Sequence, residues 1–204
     1  MLTDLTRRAA LAALASLAAA PAFALSADDQ ALVARAVAYL DGLSSVKARF
    51  TQADQRGEVA VGTLFLARPG RARFQYDPPS SLLITSDGHT VVVGDSRLKT
   101  LQRFPLSQTP LAIFLADHIR LDRGAQVTRV DRSASGFSVT ARSNRGLAQG
   151  EITLYFDQNP MQLLGWVVID AQARTTRVTL DSLTPIPTPS PDLFTQGVAP
   201  SSGG

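Results

Sequence analysis

The sequence predicts a mainly β domain: one large, curved antiparallel sheet of about eleven strands with two or three short helices on one face. Three observations carry that prediction. From Val46 onward, apolar residues recur with a period of two, the mark of half-buried strands. The alternating runs are separated at hairpin distance by Arg56-Gly57, Pro69-Gly70, Asp77-Pro78-Pro79 and Asp87-Gly88, so successive strands pair antiparallel rather than through βαβ crossovers. Helical spacing occurs in only two places, one before the strands and one among them.

The first 24 residues stand apart from the fold. Arg7 and Arg8 precede an Ala/Leu-rich run that ends in Pro21-Ala22-Phe23-Ala24. A charged start, a short apolar stretch and a small-x-small end describe a secretory signal peptide, with cleavage expected before Leu25. The Arg pair also fits a twin-arginine signal. Either route leads out of the cytoplasm.

Ser26 with Asp29 makes a capping-box-like helix start, and Ala31, Leu32, Ala34, Ala36, Val37, Leu40 and Leu43 follow at helical spacing. Gly42 and Ser44-Ser45 close this helix. Strands are expected at 46–54, 58–67, 71–77, 81–86, 90–94 and 97–103. Ser107-Gln108-Thr109-Pro110 then opens a short apolar helix running to His118, because proline suits a helix's first turn. Strands resume at 125–131, 136–142, 150–157, 162–170 and 173–182. Beyond them, Pro185, Pro187, Pro189 and Pro191 interrupt further regular structure, and Asp192-Leu193-Phe194 docks locally. No repeat or linker divides the chain, so residues 25–204 are expected to form one domain.

Composition removes several classes of function. The 204 residues include no cysteine, which excludes disulfide scaffolds, thiolate metal sites, cysteine nucleophiles and lipid anchors on cysteine. Twenty Lys+Arg face seventeen Asp+Glu, and the basic residues are scattered, unlike the basic stripe of a nucleic-acid binder. His89 and His118 have no metal-like spacing, and Glu58 and Glu151 are the only glutamates. Gly94-Asp95-Ser96 is similar to the opening of some esterases, but it joins two strands and lacks a nucleophile elbow. No enzyme, metal or cofactor is expected.

Leu64 and Leu66 share one side of their strand, as do Ala72, Phe74 and Tyr76 on the next, then Leu82 and Ile84, then Val91 and Val93. A sheet apolar on one face must cover that face. Two short helices cannot tightly fill the concavity of so many strands. The sheet therefore folds into a sandwich or closed barrel with an ordinary core, or it encloses space for an apolar ligand. Periodicity alone leaves these alternatives open.

Several segments resemble the LolA family of periplasmic outer-membrane lipoprotein carriers. They are Phe50-Thr51-Gln52, Gly62-Thr63-Leu64 and the run Arg68-Pro69-Gly70-Arg71-Ala72-Arg73-Phe74-Gln75-Tyr76-Asp77-Pro78-Pro79, then Ser86-Asp87-Gly88 and Pro105 to Leu111. Leu164 to Asp170 and Thr175 to Leu180 fit the family's later strands. The resemblance implies an unclosed antiparallel barrel with helices across its mouth as a lid, and a periplasmic location. It implies acyl chains of a lipoprotein in the cavity, received from an inner-membrane ABC transporter and passed to an outer-membrane acceptor by a monomeric carrier. Arg68 falls on the family's lid arginine, a latch that closes the mouth. Leu40, Leu64, Leu66, Phe74, Tyr76, Ile113 and Phe114 are the implied lipid-binding residues. Ala72, Val92 and Gly94 depart from aromatics common in the family, implying a more aliphatic cavity. Carriage of a glycolipid or pigment lipid, or a lipid-sensing regulatory role, are the alternatives. The family's anchored acceptor carries an N-terminal cysteine, and none occurs near Leu25.

Overall fold

The computed structural model describes residues 25–109, 111–118, 125–143 and 150–195. Residues 1–24, the expected signal peptide, lie outside them. The first helix, α1 (Ala27–Gly42), begins as its capping residues require: the Ser26 hydroxyl accepts the Asp29 N–H at 3.1 Å and donates to the Asp29 carboxylate at 2.7 Å. Its buried stripe is Leu32, Ala36 and Leu40, one residue per turn on a single face.

Eleven strands follow the hairpin order closely. They are β1 (Ser45–Asp54), β2 (Val59–Ala67), β3 (Arg71–Tyr76), β4 (Leu82–Asp87), β5 (Thr90–Asp95) and β6 (Thr100–Pro105), then β7 (Ala125–Arg132), β8 (Gly136–Ser143), β9 (Gly150–Gln158), β10 (Met161–Ile169) and β11 (Thr175–Leu180). All pair antiparallel in the order β6-β5-β4-β3-β2-β1-β11-β10-β9-β8-β7. The two halves of the chain therefore join where β1 meets β11, and β6 and β7 are left as the ends of an unclosed barrel.

A twelfth strand, β12 (Thr184–Pro185), goes beyond the sequence expectation, which ended regular structure at Pro185. It pairs with Val46 and Lys47 at the start of β1, where β11 no longer reaches, and the Ile186 N–H donates to the Ser45 carbonyl at 3.0 Å. Proline is tolerated there because this two-residue strand needs no N–H from it. The chain then crosses to the outer face of β3 and β4, where a 3-10 turn (Pro191–Phe194) docks as expected. Phe194 is only 1% exposed, with the Arg71 guanidinium over its ring, and the Arg73 guanidinium donates to the Leu193 carbonyl at 3.0 Å.

The second helix, α2 (Leu111–Leu115), is shorter than the 110–118 expected. Its final carbonyls are taken by a different part of the chain. The Gly70 N–H donates to the Leu115 carbonyl at 2.8 Å, and the Arg68 guanidinium donates to the Ala116 carbonyl. Those bonds satisfy the helix terminus and end it.

The core lies between the inner face of the sheet and the helices. It is continuous, running from Leu32, Ala36 and Leu40 of α1 through Leu64, Leu66 and Phe74 to Val139, Leu154 and Trp166. Two bulges keep its far half in phase. Leu163 stands opposite Phe156 but Gly165 stands opposite Tyr155, so Leu164 is one extra residue. Trp166 consequently faces inward, opposite Leu154, on the same side as Leu163. A similar shift between Val127 and Arg129 keeps both Val127 and Val130 inward.

Candidate functional site

The inner face is not filled everywhere. An apolar cleft of about 170 Å³ opens between the two halves of the sheet. Phe74 and Tyr76 of β3 and Ile84 of β4 form one wall, and Leu111 of α2 borders it from the helix side. Trp166 and Val168 of β10, with Thr176 and Val178 of β11, form the other wall, and Gln52 of β1 lies between them. Aromatic edges pack the floor: Phe50 meets Phe74 at 5.6 Å and Tyr76 at 5.1 Å, and Phe74 meets Trp166 at 6.2 Å.

Gly62 makes this packing possible. It pairs with both Phe50 and Tyr76 across the sheet, and a methyl group there would stand 2.7 Å from the Phe50 ring. With that position empty, the Tyr76 hydroxyl reaches over β2 and donates to Gln52 Oε1 at 2.7 Å. Burial pushes the Tyr76 hydroxyl pKa well up, so it stays protonated.

At the other end of β2, Arg68 binds both helices. Its side chain is only 5% exposed. The guanidinium donates to the Leu40 carbonyl in the last turn of α1, to the Asp41 carboxylate at 3.1 Å and to the Ala116 carbonyl just after α2. Five donors in a rigid fork can meet such scattered acceptors, which an ammonium cannot. The turn that carries Arg68 is itself held, since the Arg68 N–H donates to the Ser44 carbonyl and the Ser86 hydroxyl to the Gly70 carbonyl. Arg68 Nε is buried, and among the described residues it has no hydrogen-bond partner. An orphaned N–H of this kind costs about 1–3 kcal/mol and weakens the closed arrangement.

The positions of the implied lipid-binding residues differ. Phe74 and Tyr76 line the cleft. Leu40, Leu64 and Leu66 are sealed inside the core beside it, at 1%, 0% and 0% exposure. Ile113 and Phe114 belong to α2, but their side chains lie outside the described residues. Val92 and Gly94 do not line this cleft: they alternate with Val91 and Val93 and lie on the outer face, opposite Thr85 and Leu83. The main residue missed from sequence is Trp166, because the bulge at Leu164 hides which way it faces. Gln52 and Thr176 were missed as polar residues on an otherwise apolar lining.

The enzyme-like fragments resolve into turns. The Asp95 carboxylate accepts the Ser81 hydroxyl at 2.6 Å and the N–H groups of Arg97 and Leu98 at 3.0 Å, and these bonds hold its pKa down. His89 and Ser96 flank opposite ends of β5, roughly 20 Å apart at strand rise. The Asp87 carboxylate caps the backbone N–H groups of His89 and Thr90. Among the described residues no group of three or more His, Cys, Asp or Glu is placed to hold a metal ion, and no helix is long and apolar enough to cross a membrane.

A sheet of twelve antiparallel strands that does not close, with helices laid over its inner face and an apolar cleft beneath, defines an unclosed β-barrel with a helical lid. The family profile described as outer membrane lipoprotein carrier protein LolA matches residues 41–196. The chain belongs to that family. An outer-membrane lipoprotein carrier protein of Pseudomonas aeruginosa (strain UCBPP-PA14) is 33% identical over 111 residues, covering 50% of this chain and 53% of that protein. One from Chromobacterium violaceum is 32% identical over 123 residues, covering 56% and 59%. The chain thus matches about half the length of these curated relatives. Among solved structures, a LolA superfamily protein from Nitrosomonas europaea aligns over 80% of this chain and 97% of its own, at 11% identity and a TM-score of 0.45.

Proposed function

We propose that this chain is a periplasmic carrier that buries the acyl chains of lipoproteins between its sheet and its helices. In this reading residues 1–24 direct export, residues 25–204 form a single carrier domain, and the chain is a monomer and not an enzyme. Cargo comes from an inner-membrane ABC transporter and passes to an outer-membrane acceptor. The observation that carries the proposal is Arg68 joining both helices above an apolar cleft.

The physical logic is apolar transfer. Each acyl CH₂ held in water costs about 0.8 kcal/mol, so a lipoprotein needs a shelter to cross an aqueous compartment. The cleft as observed takes roughly one benzene-sized apolar group, far less than an acyl chain. Cargo therefore requires the lid to move. Release of Arg68 from Leu40 and Ala116 frees α1 and α2, and their withdrawal uncovers Leu64 and Leu66 beside Phe74 and Tyr76. Ile113 and Phe114 of α2 complete the lining. Closing Arg68 again competes with bound chains and favours hand-over to a tighter acceptor.

Depletion of the protein in its own cells tests this. Mature lipoproteins should accumulate at the inner membrane. An unchanged distribution between the two membranes overturns the proposal, and mass spectrometry of organic extracts of the purified protein would then identify a different lipid.

A further inference from the structure

The cleft is not uniformly apolar. Inward positions along β1 read Val46, Ala48 and Phe50, and then Gln52. Gln52 is half-buried, and its carboxamide is the one polar group among these inward positions of β1. Only half of it is accounted for. Gln52 Oε1 accepts the Tyr76 hydroxyl, which fixes the side chain and leaves its NH₂ group available to donate. Thr176, on the neighbouring β11, lines the same cleft one inward position along from Val178, the residue opposite Gln52. Among the described residues no protein group bonds to the Gln52 amide nitrogen or to the Thr176 hydroxyl.

We infer that Gln52 and Thr176 form a polar corner that hydrogen-bonds the acyl carbonyl of the bound lipid, fixing which end of the chain lies deepest. This rests on the carrier reading and names the part of the cargo that the cleft recognises. The chemistry selects a neutral acceptor. An amide NH₂ only donates, and the hydroxyl can donate as well, so the corner suits an ester or amide carbonyl. Among the described residues no Lys or Arg lines the cleft to offset a free carboxylate. Tyr76 is protonated and already committed to Gln52, so it orients the carboxamide rather than meeting the ligand.

The test titrates the purified protein with dioctanoylglycerol and with its dioctyl ether analogue, reading emission of the single tryptophan, which lines the same cleft. The two probes differ only in their carbonyl groups. The wild-type protein should prefer the ester by about fivefold, the worth of one net hydrogen bond. Thr176→Val, which preserves shape and breaks no bond among the described residues, and Gln52→Leu should each reduce that preference, read as the ratio of ester to ether affinity within each variant. Equal binding of both probes by the wild-type protein, or an ester preference that survives both substitutions, overturns the corner and leaves the carrier reading standing. Failure of both probes to bind removes the acyl-binding cleft on which the carrier reading stands, and the corner with it.

Discussion

The Arg68 guanidinium donates to the carbonyl of Leu40, 28 residues earlier in the chain, and so ties the turn after β2 to the end of α1. The same group reaches Ala116, 48 residues later. Two helices distant in sequence are thereby held by one side chain. Arg68→Leu should destabilise the ligand-free protein by about 1–3 kcal/mol, since it strands buried carbonyls. It should still bind lipoprotein but release it slowly, because the closed state no longer competes. Arg68→Lys should behave like Leu in release, as a point charge cannot meet acceptors on both helices. Transfer of cargo to an acceptor at the wild-type rate by either variant would show that Arg68 is not a latch.

Trp166 is the only tryptophan, 3% exposed, and packs edge-on against Phe74 at the cleft wall. Its emission should therefore shift saturably as an acyl ligand enters. Trp166→Phe should abolish the signal and leave binding, followed by ligand retention on gel filtration, nearly intact. In Arg68→Leu the ligand-free emission should already be red-shifted, because an open lid admits water. Identical spectra for wild type and Arg68→Leu would contradict the link between latch and cleft.

Gly62 tests the aromatic floor. A Cβ at this position would lie 2.3 Å from the Gln75 carbonyl oxygen, and backbone cannot yield as a flexible side chain can. Gly62→Ala should cost about 1–3 kcal/mol through overpacking. The thermal midpoint should drop by about 2–4 °C for each kcal/mol. It should also weaken acyl binding, because Phe50 and Tyr76 must move apart. A variant that melts with the wild-type protein would show that the floor accommodates a methyl group.

Most of the sheet was legible because the hairpins of its first half carry recognisable turn residues and the alternation persists through the second. Alternation fixes the inward residues, and Asp54, Asp87, Asp95 and Asp170 each accept backbone N–H groups of the turn that follows. What alternation could not show is where the period slips. Gly165, at φ 147°, sits in a bulge where a Cβ would meet the Val178 carbonyl at 2.1 Å. The slip turns Trp166 inward, and no local pattern signals it. The short α2 was equally hidden, because its end is set by Arg68 and Gly70 rather than by its own residues. Arg68 stood out by resemblance; its partners Leu40, Asp41 and Ala116 came only from tertiary structure.

The start of α1 should sense acid. The Ser26 hydroxyl, with the Arg132 guanidinium 2.7 Å away, holds the Asp29 carboxyl below its ordinary pKa. Arg132 ends β7, so this pair pins the helix to the far half of the sheet. A lowered folded-state pKa means that the ionised form favours folding. That contribution is complete above the unfolded carboxylate value of about 4 and is lost as pH falls through the lowered folded value. Asp29→Asn should therefore be less stable than wild type at neutral pH, with the gap closing as pH falls through the lowered folded value. Urea unfolding midpoints of the two proteins across that range measure it. A gap that stays constant with pH would mean that the Asp29 charge contributes nothing to holding α1.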